Sequence, residues 1–287
     1  MNSEKDFKMK EYHILSLSGG KDSTALAFFM KENMPEIFEK MEMVFCDTEK
    51  EIPETYDYLN KIEIFLDKKI IRLKPYRSFD HLMSIYNHLP SVQQRWCTIE
   101  MKTKVFRKYV FDLFKEQGEG VVRMYIGIRA DEADRTQSSI NNDNFINAIY
   151  PFVENGVNKS DVENILIKSG IGYPDYYKWR KRSGCYFCMY QSKNDWLNLY
   201  ENHPDLFQKA MEYEIEKGAT SRQTRFGWNC DMALKDMIKP ENMKKIRENY
   251  ANLQERRKAK ALENKENSGL LYDIDSFDEN QCRFCHL

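Results

Sequence analysis

The sequence predicts an α/β fold, a parallel sheet with helices on both faces, followed by a smaller cysteine-rich and mainly helical C-terminal part. Two observations predict it. Short apolar runs alternate with helical stretches through the first half of the chain, and polar clusters follow the runs. Strands that alternate with helices build parallel sheets, and ligands of such sheets bind beyond the carboxyl ends of the strands.

The elements follow in order. Tyr12-His13-Ile14-Leu15-Ser16-Leu17 reads as a buried strand, with a glycine turn and a helix from about Ser23 to Lys31 behind it. Met41 to Cys46 is a second strand that ends at Asp47-Thr48-Glu49. Pro53 opens a helical run through about Leu66, and Lys69 to Leu73 is a third strand. Val121 to Ile128 is a fourth, ending at Gly127-Ile128-Arg129. The polar clusters after the first, second and fourth strands are thereby expected at one sheet edge.

Residues 1–175 are expected to form the nucleotide-binding domain and residues 176–287 the cysteine-containing helical region. Near residue 170 the tone changes, to Pro174-Asp175-Tyr176-Tyr177-Lys178-Trp179-Arg180-Lys181-Arg182. A helical pattern runs from Asp195 through about Lys217. Residues 251–268 are charge-dense and read as an exposed helix or a linker.

At 287 residues the chain can bury a core of ordinary size. With 41% hydrophobic and 31% charged residues it suits a globular protein with a charged surface. A net charge of −1 neither demands nor excludes a nucleic-acid partner. No apolar stretch is long enough for a bilayer span, and the first thirteen residues are too polar for a secretory signal, so no membrane contact and a cytoplasmic location are expected. In a reducing compartment the seven cysteines are better metal or redox ligands than disulfide partners.

Ser18-Gly19-Gly20-Lys21-Asp22-Ser23 lies between a strand and a helix. Two glycines let the backbone approach a ligand and present amide donors. The helix that follows points its positive end at the same place. Lys21 adds a mobile cation, and Ser18 and Ser23 add hydroxyls. This is a pyrophosphate cradle, and neither a Walker A loop nor a dinucleotide GxGxxG turn.

The string resembles the SGGxDS signature of PP-loop ATP pyrophosphatases, which have a Rossmann-like fold of the adenine nucleotide α-hydrolase type. The resemblance implies ATP and Mg²⁺ as ligands, attack on the α-phosphate and release of pyrophosphate. It makes Lys21 the cation for the β and γ phosphates and places Asp22 near the metal. Ser16, Ser18, Gly19, Gly20 and Ser23 complete the implied nucleotide site.

Further segments resemble the phosphoadenosine-phosphosulfate reductase-like branch. Phe45-Cys46-Asp47-Thr48-Glu49 with Pro53-Glu54-Thr55 is similar to its DTG…PET segment, with Glu49 where glycine is usual. Gly127-Ile128-Arg129-Ala130-Asp131-Glu132 with Arg135 is similar to its GIRxDE…R segment. Tyr150-Pro151-Phe152 and Asp161-Val162 match further landmarks, so the likeness spans roughly residues 12–200. It implies that Asp47, Gly127 and Arg129 belong to the nucleotide or substrate site. The phosphosulfate reductases generally lack the loop lysine and carry a catalytic cysteine in an ECGLH-type tail. This chain keeps Lys21, and its tail reads Cys282-Arg283-Phe284-Cys285-His286-Leu287.

Cys185-Tyr186-Phe187-Cys188 and Cys282-Arg283-Phe284-Cys285 form two CxxC pairs, which suit tetrahedral Zn²⁺ or a [4Fe–4S] cluster. Trp96-Cys97-Thr98 complicates this, because it resembles the stretch where assimilatory adenylyl-sulfate reductases carry cluster cysteines. Two ligand sets therefore compete. One is Cys185, Cys188, Cys282 and Cys285. The other joins Cys97 to Cys185, Cys188 and a fourth ligand. In the first set Cys97 is left as a persulfide carrier or nucleophile, its thiolate favoured by Lys102 and Arg95. Cys46 and Cys230 read as structural.

Lys102, Lys104, Arg107 and Lys108, the run Lys178–Arg182, and Arg222 with Arg225 are basic patches that suit a phosphate backbone or a solvated helix face. The favoured expectation is an adenylating enzyme that activates DNA or tRNA for thiolation or phosphorothioation. A cysteine desulfurase or another donor would bring the sulfur, and partner subunits are candidates. The alternatives are a sulfonucleotide reductase, an ATP sulfurylase-like subunit and a nucleotide-sensing partner subunit.

Overall fold

The computed structural model describes residues 9–137, 144–216, 225–229 and 231–268. A five-stranded parallel sheet lies at its centre, in the order β3-β2-β1-β4-β5. The strands are β1 Lys10–Leu17, β2 Glu42–Cys46, β3 Ile70–Leu73, β4 Gly120–Tyr125 and β5 Ile146–Ile149. The first four are the strands that the apolar runs predict. The fifth, Ile146-Asn147-Ala148-Ile149, is too short and too polar to show that pattern. Helices α1 Lys21–Asn33, α2 Pro35–Lys40, α3 Pro53–Leu66, α4 Phe79–Tyr86, α5 Trp96–Thr98 and α6 Lys104–Gln117 precede β4. Helices α7 Pro151–Glu154, α8 Lys159–Lys168, α9 Lys193–Asn202, α10 Pro204–Glu212, α11 Leu234–Met237 and α12 Pro240–Ser268 follow β5. A two-stranded antiparallel pair, β6 Ile215–Glu216 with β7 Arg225–Phe226, stands between α10 and α11.

Strand β1 pairs with β2 on one side and with β4 on the other, Ile14 lying opposite Glu42 and Met124. A strand covered on both faces carries apolar residues on both, and alternation sorts them. Leu15 and Leu17 enter one core with Leu26 and Met30 of α1, Leu59 and Ile62 of α3, and Val162 and Leu166 of α8. Tyr12 and Ile14 enter the opposite core with Phe106, Val110 and Leu113 of α6. Those three α6 positions recur at i, i+4 and i+7, the buried stripe of an amphipathic helix.

A third core is aromatic. Ile52, Phe79, Trp96 and Met101 meet Trp196, Phe207, Trp228 and Ile246 in it, so it draws on residues before and after position 175. Phe187, inside the first CxxC pair, lies 4.4 Å from Phe79 and stacks on Trp228 at 5.0 Å. The helical pattern after Asp195 is broken at His203, because Pro204 disfavours helical backbone in the residue before it. Residues 251–268 are helical as part of α12. Arg247 of that helix donates to Asn194 and Asn198 of α9, both at 2.6 Å.

The chain leaves β1 toward β2 and later returns beside β1 as β4, so the loop after β1 sits at the topological switch point. The turn after β2 is less ordinary. Glu49 adopts a left-handed conformation, φ +59°, where the resembling segment carries glycine. Its N–H donates to Asp47 Oδ1 at 2.8 Å, and its carboxylate meets Lys74 at 2.8 Å. A left-handed residue with a side chain costs about 1–2 kcal/mol, against which glycine loses about 0.5–1 kcal/mol of chain entropy. Glu49→Gly is therefore expected to leave the fold as stable or to raise its stability by up to about 1 kcal/mol in urea unfolding. A clear loss would show that the Lys74 contact outweighs the backbone strain.

Candidate functional site

The glycines of the loop are fixed by crowding. Gly19 has φ +70°, and a Cβ there would lie 2.8 Å from Thr55 Cγ2. A Cβ on Gly20 would lie 2.8 Å from Ser183 Oγ. Gly20 caps α1 with extended backbone and no side-chain hydrogen bond. The first-turn amides of α1 are thus left to a ligand, the arrangement that makes a helix N-terminus an anion site. The Lys21 N–H reaches Tyr177 OH at a long 3.4 Å. The hydroxyls of Ser18, Ser23 and Ser183 gather here, with Ser18 Oγ 3.2 Å from Ser23 Oγ and 3.3 Å from Ser183 Oγ.

The charges converge on Asp22. Lys21 Nζ lies 3.5 Å from its Oδ1, and Arg129 Nη1 donates to the same oxygen at 3.0 Å. Arg129 is 4% exposed and also bonds Asp131 and Glu132, and Arg135 completes the set on Glu132. A buried guanidinium needs such partners. Gly127 makes the network reachable. A Cβ on it would stand 2.9 Å from Asp22 O and 3.1 Å from Ser23 N, so glycine lets the end of β4 lie against the start of α1.

Asp47 is buried at the end of β2, where its Oδ1 accepts from Tyr56 OH at 2.7 Å as well as from Glu49. Ser16 is buried within β1 itself, next to the loop. The aromatic and basic run after residue 173 is turned inward. Tyr176 OH donates to Gly19 O at 2.7 Å, and its ring stacks on Tyr177 at 5.0 Å. Arg180, 2% exposed, donates to Gly184 O, Cys185 O and Gln191 Oε1. This segment therefore links the phosphate loop to the first CxxC pair. Sequence reasoning reads it as a surface patch and misses Tyr176, Tyr177 and Ser183 as loop neighbours, because nothing local tells an inward tyrosine from an exposed one. Lys104 and Lys108 are exposed and paired with Glu100 and Asp112, while Arg222 lies outside the described residues.

A cleft of ≈ 530 Å³ opens beside the loop segment, and Thr48, Cys97, Lys102, Cys185, Cys188 and Tyr190 line it. Cys97, Cys185 and Cys188 thus share one cavity. Cys230, Cys282 and Cys285 lie outside the described residues. Lys102 is presented by a π-helical stretch, Ile99–Thr103, a deviation frequent at functional sites. Arg182 Nη2 stands 3.6 Å from Cys188 Sγ, and Thr48 Oγ1 stands 3.1 Å from Cys185 Sγ. Burial pushes the Cys185 thiol well above its ordinary range, and the neighbouring Glu51 carboxylate adds to the rise. Behind the cleft Cys46 is buried, with its thiol pushed up by burial to about 11.

Glu51 joins Thr48 and Cys185, its Oε1 accepting from Thr48 Oγ1 at 3.0 Å. The reading of the sequence passes over it, since one acid in a charged turn carries no signal. Among the described residues no three His, Cys, Asp or Glu side chains stand in one coordination shell. The donors at the cleft nonetheless suit a thiophilic centre: three sulfurs in one cavity, beside a buried carboxylate whose Oε2 has no hydrogen-bond partner.

The family model for the phosphoadenosine phosphosulfate reductase domain matches residues 12–190. The chain belongs to that family. The match runs from β1 through the CxxC pair, so the phosphoadenosine phosphosulfate reductase domain contains the loop, the Arg129 network and the cysteine cleft. Two Methanocaldococcus jannaschii proteins are similar to this chain, both uncharacterized. MJ0973 is 25% identical over 265 residues, covering 90% of this chain and 57% of that protein. MJ0066 is 25% identical over 228 residues, covering 77% of this chain and 45% of that protein. The chain spans about half the length of these curated relatives. Among solved structures, a phosphoadenylyl-sulfate reductase from Candida auris in a phosphate complex aligns with TM-score 0.44 and 15% identity, over 62% of this chain and 82% of that one. The U34-tRNA thiolase NcsA from Methanococcus maripaludis, with its [4Fe–4S] cluster, aligns with TM-score 0.38 and 15% identity, over 74% and 75%. Among the described residues no helix is long and apolar enough to cross a membrane.

Two outcomes are expected. Gly127→Ala forces a methyl against the backbone of Asp22 and Ser23, and overpacking of that kind costs about 1–3 kcal/mol. Urea unfolding should show the loss, with nucleotide affinity falling in parallel; unchanged unfolding would mean that the two backbones separate freely. Alkylation of the native protein at pH 8, mapped by mass spectrometry, should label Cys97 and Cys188 first and spare Cys46, which is buried and protonated up to about pH 11. Early labelling of Cys46 would contradict its place in the core.

Proposed function

We propose that this chain is an ATP pyrophosphatase that adenylates a substrate oxygen and prepares it for sulfur transfer, with a nucleic acid, DNA or tRNA, as the acceptor. The observation that carries the reading is the backbone-only cradle at Gly19 and Gly20, where the uncapped start of α1 meets the intact Lys21. In this reading the first-turn amides and the hydroxyls of Ser18 and Ser23 bind the β and γ phosphates, and Lys21 neutralises the charge that develops on the departing pyrophosphate. A substrate oxygen attacks the α-phosphorus, the bond from that phosphorus to the β-bridging oxygen breaks, and pyrophosphate leaves. Sulfur then displaces AMP. Asp22 and Asp47 are the oxygen donors at this sheet edge that suit Mg²⁺, which supplies charge neutralisation when bound. Arg129 holds Asp22 in place from behind.

The cysteine cleft is the sulfur side of the reaction. Cys97, Cys185 and Cys188 would hold a zinc ion or an iron–sulfur cluster there, which would bind or relay sulfur. Lys102 faces the same cavity and would orient an anionic group. The run Tyr176–Cys185 spans from loop to cleft and would place the activated oxygen against the sulfur. A cysteine desulfurase or another persulfide source fits as donor. The family match also supports a second reading, reduction of a sulfonucleotide in the same cleft.

Pyrophosphate release from Mg²⁺-ATP, with and without DNA or tRNA, separates them. Release is expected, and Lys21→Ala should lower it by about 10²–10³, the range for losing one group that stabilises transition-state charge. No release, together with tight binding of an adenylyl sulfate, would sink the pyrophosphatase reading in favour of the reductase.

A further inference from the structure

We propose that Glu51 is an oxygen ligand at the cysteine cleft, binding the same thiophilic metal centre as Cys185. This rests on the reading that the cleft holds a metal.

Glu51 is 7% exposed and makes no ion pair among the described residues. Its Oε1 accepts from Thr48 Oγ1 at 3.0 Å and stands 3.6 Å from Cys185 Sγ. Its Oε2 is buried without a partner. A carboxylate kept for structure has its oxygens satisfied, since leaving a charged group half-solvated in a protein interior is costly. An oxygen held bare beside a metal-binding sulfur needs another reason. The spacing supplies one. Metal–sulfur bonds of about 2.3 Å and metal–oxygen bonds of about 2.0–2.2 Å, at a tetrahedral angle, put the two ligand atoms about 3.5 Å apart. The observed 3.6 Å is therefore the separation of two ligands on one ion. The Thr48 hydroxyl orients the carboxylate, as outer partners orient metal ligands. The position also makes sense in the chain. Glu51 ends the turn after β2, and Tyr186 N–H bonds Lys50 O at 2.9 Å, so that turn is pinned directly to the CxxC segment. With Cys97 and Cys188 in the same cavity, the donor set is three sulfurs and one oxygen. The carboxylate is the hard member of the set, and hard oxygen is the poorest match to a thiophilic ion.

The test uses the full chain, purified anaerobically and also loaded with Zn²⁺ alone or with Fe²⁺ and sulfide. Metal and acid-labile sulfide are counted, and loss to a chelator is timed. Glu51→Gln should lose metal at least about tenfold faster than the wild type, since even outer-shell changes cost that much. Glu51→Cys should restore retention, and apo Glu51→Gln should melt no lower than the apo wild type. Zinc in the wild type or iron with sulfide identifies the centre, and either supports the assignment if retention depends on Glu51. Retention by Glu51→Gln at the wild-type rate overturns the ligand and leaves the metal reading standing. Loss of metal with a destabilised apo protein and no rescue by Glu51→Cys also overturns it, in favour of a structural role. A wild-type chain that holds no metal under any loading overturns both.

Discussion

The bare N-terminus of α1 is the constraint on which the rest of the site depends. A helix start with no side-chain cap is unfavourable unless something else meets its amides. Here Gly20 stands where serine or aspartate would ordinarily cap, and the space a cap would fill is closed by Ser18, Ser183 and Thr55. The crowding is mutual. The glycines are needed because neighbours come within 3 Å of where a Cβ would be, and the neighbours come that close because they too serve the loop. An anion with several oxygens satisfies such a start better than any single side chain.

From that start the site extends in two directions. Asp22, one residue into α1, gathers Lys21 and Arg129, and Gly127 lets the end of β4 come near enough for Arg129 to reach it. Tyr176 and Ser183 cover the loop from the other side, and the same segment continues into Arg180, which holds Gly184 and Cys185 by their carbonyls. A buried guanidinium with three acceptors is a stiff connector. A displacement at the phosphate loop is thus passed to the cysteine cleft through backbone hydrogen bonds, with no flexible hinge between them.

Much of this was legible in the sequence, and the reasons differ by residue. Four strands and the loop were readable because apolar runs and glycine punctuation are local signals. Strand β5 was not, since four residues at a sheet edge carry little pattern. Glu49 reads as a departure from the DTG pattern, and the backbone shows the same left-handed turn made with a strained residue. The run Lys178–Arg182 reads as a basic patch, yet Arg180 is buried; charge is visible in a sequence and burial is not. Glu51 gave no signal at all, because its meaning lies in Cys185, far along the chain and a van der Waals contact away.

The aromatic core bears on how the site can move. It joins Ile52, Phe79 and Trp96 from one side of residue 175 to Trp196, Phe207 and Trp228 from the other. Phe187 sits inside that core, between the two cysteines of the CxxC pair. Large aromatic side chains dominate core energetics, and close-packed interiors do not deform smoothly. Cys185 and Cys188 are therefore held by the packing of the residue between them, while Cys97 follows Trp96 of the same core. Three thiols positioned by aromatic neighbours rather than by one another can share a cleft before any ligand draws them together. That ordering places the cost of building the cleft on folding, and leaves to ligand binding only the final convergence of side chains.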